Sequence, residues 1–144
     1  MAERKNIIDA ILAKVIASGA VGARAYCKRY DAPAKEDLPL AYVYGTEEEA
    51  GPVGGARNAR TMQRILTVVI DVYAVETAAL DIEAGLDAAT TTIMNALDTD
   101  TTLASTVDDV TWISRNFEYD ATGDGVIGTG QMLYNVTYMA RENA

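Results

Sequence analysis

The chain has 144 residues, a formal charge of −9, one cysteine and no histidine. That length suits one domain, with a core able to form without covalent staples. The single Cys27 excludes an internal disulfide, and the lack of histidine removes the commonest general base and the commonest zinc ligand together.

The charge is uneven. Residues 1–64 hold ten Lys/Arg and eight Asp/Glu, a net of +2, whereas residues 65–144 hold two and thirteen, a net of −11. This argues against a general nucleic-acid binder, whose affinity rests on neutralising phosphates. It suits subunits that join a basic surface to an acidic one. No run reaches the ~18 apolar residues of a membrane span, and the charged start does not read as a signal peptide. A soluble protein folded in a reducing cytoplasm is expected.

In chain order, residues 3–18 read as an amphipathic helix on Ile7, Ile8, Ile11, Leu12, Val15 and Ile16, with Gly19 as its stop. Residues 23–30 read as a short strand. Residues 31–39 are turn and charge, with Pro33 and Pro39 favouring extended backbone. A strand follows over 40–47. Residues 48–60, with Gly51, Pro52, Gly54 and Gly55, lack any hydrophobic period and read as a mobile loop or hairpin tip.

Residues 61–75 carry the strongest strand signal. Leu66, Val68, Ile70 and Val72 form an apolar face that should meet helices, while Ile65, Thr67, Val69, Asp71 and Tyr73 form a mixed one, solvated or partly covered. A second helix is expected over 77–97, on the stripe Ile82, Leu86, Ala89, Ile93 and Leu97. Asp81, Glu83 and Asp87 fall near its start, where exposed N–H groups favour them. Residues 101–106 read as a further short turn of helix.

Two strands close the chain. In 110–119, Ile113, Arg115, Phe117 and Tyr119 alternate against Val110, Trp112, Ser114 and Asn116. Gly123-Asp124-Gly125 signals a turn, and Gly128 and Gly130 flank the start of a last strand over 131–140. The sum is an α+β chain: a mostly antiparallel or mixed β-sheet with two α-helices packed on one face, in a single domain over 1–144.

Catalytic and metal readings find little. Asp98 with Asp100, and Asp108 with Asp109, read as exposed turns and not as acid–base pairs. Residues 120–125 lack the spacing and closing glutamate of a calcium loop. Residues 51–57 lack the Lys-Ser/Thr ending of a phosphate loop, and Cys27 has no histidine to activate it. The sequence therefore predicts no catalytic residue, no metal site and no cofactor. Two features rise above this background. Arg57, Arg60 and Arg64 punctuate the loop region and suit an arm that orders against a partner or lines a lumen. Eight tyrosines stand against one phenylalanine, and Tyr44, Tyr73, Tyr119, Tyr134 and Tyr138 in expected strands suit half-buried contact surfaces.

Three strings carry a family resemblance. The first is Phe117-Glu118-Tyr119-Asp120, a Gly/Asp turn, and Leu133-Tyr134-Asn135-Val136-Thr137-Tyr138-Met139. The second is Asp37-Leu38-Pro39, with Leu40 to Tyr44 aligning directly. The third is the strand from Gln63 to Tyr73. Together with the order of elements, over about four-fifths of the chain, they resemble the lambda-type minor tail protein U family, the tail terminators of long-tailed phages. Residues 48–60 depart from the family pattern.

The resemblance implies a structural protein and not an enzyme. Six copies would form a ring on the last tail-tube ring, stop tube polymerisation and offer the head-completion or neck protein a surface to join. DNA would pass through the lumen without sequence-specific binding, with no membrane partner. The protein would sit at the head-proximal end of the tail, after assembly in the host cytoplasm. Another neck, head–tail joining or tail-tube-like component is the nearest alternative. A small enzyme or a monomeric binding domain would come from a different class.

Overall fold

A computed structural model describes residues 4–22, 24–27, 39–50, 61–75, 81–122 and 125–141. Helix α1 spans Arg4–Ser18, and strand β1 is the short Ala25–Tyr26. Strands β2 (Leu40–Ala50) and β3 (Thr61–Val75) follow, then helix α2 (Ile82–Asp98) and strands β4 (Asp109–Thr122) and β5 (Gly125–Arg141). The sheet order is β1-β2-β3-β5-β4. Only β1 pairs in parallel, with β2; the other three pairings are antiparallel. This is the expected α+β architecture, an open sheet with two helices packed against it.

Helix α1 buries Ile7, Ile8, Ile11 and Val15, a spacing of three and four that brings one stripe onto the sheet. Ile16, at the edge of that stripe, stays 40% exposed. Gly19 ends the helix at φ +78°, a conformation that a side chain would oppose.

Strand β3 lies between β2 and β5, so both of its edges are hydrogen-bonded. Its Leu66, Val68, Ile70 and Val72 join Met132, Tyr134, Val136 and Tyr138 of β5 and both helix stripes in one core. Full burial of each such side chain contributes about 1.5–3 kcal/mol. The opposite face is also partly covered: Val69, Asp71 and Tyr73 are buried, and Leu40, Tyr42 and Tyr73 form a second, smaller cluster.

Helix α2 starts one residue after Asp81, whose carboxylate accepts from the Glu83 N–H at 2.9 Å. The expected start at 77 lies outside the described residues. Its buried stripe takes Thr90 where the sequence pattern offered Ala89. The Thr90 hydroxyl survives burial by donating back to the Leu86 carbonyl at 2.7 Å.

Three expectations need correction. Residues 48–50, expected to open the loop, continue β2, which carries a bulge between Gly45 and Glu48; residues 51–60 lie outside the described set. The stretch 101–106 is no right-handed turn, because Leu103, Ala104 and Ser105 all have φ between +48° and +69°. Each such non-glycine residue costs about 1–2 kcal/mol. Burial of Leu103 and two hydrogen bonds from the Ala104 N–H to the Asp100 carboxylate, at 3.0 and 3.1 Å, offset that cost.

The third correction concerns β4 and β5. A bulge at Ile113 breaks the alternation of β4, so Val110 opposes Val136 and Arg115 opposes Met132 on the same, helix-facing side. Gly128 and Gly130, expected ahead of the last strand, lie inside β5 beneath α2. A Cβ on Gly128 would stand 2.6 Å from Leu86 Cδ1, so the missing side chain is what lets the helix settle on the strand.

Candidate functional site

The two edges of the sheet differ in chemistry, and the expected contact residues distribute unevenly between edges and core. Arg57 and Arg60 lie outside the described residues. Arg64, on β3, pairs loosely with Glu48 of β2 at 3.9 Å. Tyr44 donates its hydroxyl to the Asp71 carboxylate at 2.7 Å, and Gln131 donates its amide to the other oxygen at 3.1 Å. Tyr73 packs against Tyr42 edge-to-face, with centroids 5.8 Å apart. Both tyrosines are buried.

Tyr134 and Tyr138 are interior side chains, 1% and 2% exposed, facing the helices. They belong to the chain's own core and not to its contact surface. They share the inner face of β5 with Met132 and Val136. Among the described residues the Tyr134 hydroxyl finds no hydrogen-bond partner, and burial, with Asp98 adding to it, pushes its ionisation far above the ordinary phenol range. Tyr119 on β4 is 47% exposed, and partial desolvation, then Glu83 and Asp81, raise its hydroxyl pKa.

The β4 edge carries what the sequence reading passed over. Among the described residues β4 pairs only with β5, so its other side is the rim of the sheet. At the bulge Trp112 and Ile113 are 44% and 47% exposed. Two adjacent large apolar residues inside an alternating strand were the available signal. Exposed Asp108, Asp109 and Glu118 flank them on the same strand and its approach. Residues 81–122 as a whole hold nine acids and one base, Arg115, a net of −8. That base is engaged: its guanidinium meets Asp87 at 3.1 Å, donates to Thr90 and Thr91 at 3.2 Å each, and lies over the Phe117 ring.

The opposite side is different. Between the first turns of α1 and β2 lies a mainly apolar groove of about 590 Å³, lined by Arg4, Lys5, Ile8, Asp9, Cys27, Tyr44 and Gly45. The Arg4 guanidinium donates to the Gly45 carbonyl at 3.0 Å and so forms one wall. The Cys27 thiol donates to Asp9 at 3.5 Å; burial first, and this carboxylate next, push its pKa up and leave it a poor nucleophile.

A third hollow, of about 360 Å³, opens on the face away from the helices between Asp71, Tyr73, Asn116, Glu118, Thr129 and Gln131. Its buried carboxylate is already engaged by Tyr44 and Gln131. Among the described residues no three His, Cys, Asp or Glu side chains gather to hold a metal ion, and no helix is long and apolar enough to cross a membrane.

No family model matches the chain, and no curated protein matches it. Among solved structures it is similar to a chain described as "Virion of native gene transfer agent (GTA) particle". The match has 10% identity and a TM-score of 0.47, over 93% of this chain and 95% of that one.

Proposed function

We propose that this chain is a virion structural protein and not an enzyme: a phage tail terminator that closes into a ring on the end of the tail tube. In that role it stops tube growth and presents its far face to the head-completion protein. The observation that carries the reading is the inequality of the two sheet edges. One, β4, is long, acidic and apolar at its bulge; the other is the two-residue β1, beside which a groove bordered by Arg4, Lys5 and Asp9 opens between α1 and β2. A subunit with unlike edges associates head to tail, and head-to-tail contacts make rings when the rotation closes.

The strings that resemble the minor tail protein U family support the same reading, since the first of them spans the paired strands β4 and β5. Six copies, a lumen that passes DNA, and a site at the head-proximal end of the tail follow from that resemblance.

Electron microscopy of the purified protein, alone and with its tail-tube protein, tests it. Closed rings, or one distinct ring limiting each tube, are expected. Tubes of uncontrolled length with no rings in either sample would remove the terminator role and favour another neck component.

A further inference from the structure

We infer that the β4 bulge of one copy seats in the α1–β2 groove of the next, Trp112 and Ile113 entering between Ile8, Cys27 and Gly45. This deepens the ring reading and rests on it for closure, while the contact itself stands on four observations.

First, the bulge places two large apolar side chains side by side at the sheet rim, where water covers nearly half of each. Exposed tryptophan beside an aliphatic residue is the composition of an anchor that a pocket desolvates. Second, the groove is the right counterpart. It is mainly apolar, and its volume of about 590 Å³ has room for both side chains.

Third, the rims match in charge. Exposed Arg4 and Lys5 border the groove with a single acid, Asp9, whereas exposed Asp108 and Asp109 lead into the bulge. Opposite charges at the margin set register and speed encounter more than they add affinity. Fourth, one copy cannot satisfy itself. Strands β2 and β4 are three strand spacings apart in the sheet order, roughly 14 Å at about 4.8 Å per spacing. The knob of one chain therefore needs the hole of another, and repetition of that contact makes a ring or an open chain.

Cys27 is the chain's single cysteine and lines the groove, which makes the contact directly measurable. In Ile113→Cys protein at high concentration, mild oxidation is expected to yield a ladder of disulfide-linked multimers. Peptide mapping should join position 113 of one copy to Cys27 of another. The double variant Ile113→Cys/Cys27→Ser has one thiol per chain and should give no disulfide-linked dimer, because position 113 faces the groove and not another copy's position 113. Links that map to 113–113 or 27–27, dimers of the double variant in similar yield, or no ladder in the single variant would overturn the proposal.

Without any thiol chemistry, the variant Arg4→Glu/Lys5→Glu should weaken self-association roughly tenfold by sedimentation, more at low salt. Acids in the first turn favour a helix, so its circular dichroism should be unchanged. Self-association as strong as that of the native chain would count against the charged rim. A mapped ladder from a protein that leaves tubes uncapped keeps the contact and removes the terminator role. Capped tubes without the ladder do the reverse.

Discussion

Val110 and Arg115 lie on the same face of β4 although they stand five positions apart. Alternation would place them on opposite faces. The extra residue Ile113 absorbs the difference: Trp112 opposes Tyr134, and Ser114 opposes the very next residue of β5, Leu133. Val110 thereby stays in the core, and Arg115 still reaches Asp87 of α2.

Deletion of Ile113 should therefore be tolerated by the fold, because the remaining register is already continuous across the gap. A melting temperature within about 4 °C of the native value is expected, the equivalent of about 1 kcal/mol or less. Self-association should fall in the same variant. Deletion of Leu133 from β5 is the control, since it would turn half of a central strand inside out. A chain that unfolds on losing Ile113 would show that the bulge is structural.

Tyr134→Phe should raise stability. Its buried hydroxyl has no partner among the described residues, and such a group costs about 1–3 kcal/mol of desolvation. The gain should be about 1 kcal/mol by urea denaturation, with an unchanged m-value. A loss of stability would mean that the hydroxyl is hydrogen-bonded in solution.

Asp71 is buried on the face away from the helices, with the Tyr44 hydroxyl and the Gln131 amide both donating to it. Asp71→Asn replaces one acceptor oxygen with a donor and should cost about 2 kcal/mol. A double-mutant cycle with Tyr44→Phe should return a coupling of about 1 kcal/mol, since both changes break one contact. Strict additivity in chemical denaturation would show that the two side chains are independent.

The Asp100 carboxylate accepts from the Ala104 N–H and meets Lys14 at 3.1 Å, and these contacts hold its pKa below the ordinary 3.8. A depressed folded-state pKa adds stability above the unfolded value and loses it as pH falls through the folded one. Asp100→Ala should accordingly lower the melting temperature at neutral pH. The difference from the native chain should shrink in acid below the ordinary aspartate value. A gap that stays constant down to strong acid would assign the loss to packing of the left-handed turn.

The regular elements were legible in the sequence where one period dominated. Strand β3 keeps its expected bounds because its apolar face alternates without interruption, and α1 does so within one residue. Asp71 was not legible as a buried group, since a polar residue on a mixed face looks solvated until the fold covers it. The Ile113 bulge was hidden because alternation was assumed to run unbroken along β4. Gly128 and Gly130 read as punctuation, and only the approach of α2 reveals them as a groove. Tyrosine content pointed to contact surfaces, yet Tyr134 and Tyr138 are spent on the interior. The groove on α1 gathers residues from three separate segments, which no local pattern could announce.

The gap at Gly128 has a mechanical side. With Leu86 and Ile82 seated where a side chain would otherwise stand, α2 is keyed to β5 and not merely resting on it. Sliding the helix along the strand would drive these side chains against the next residue that has a Cβ. The position of α2 along β5 is therefore set by shape as well as by burial.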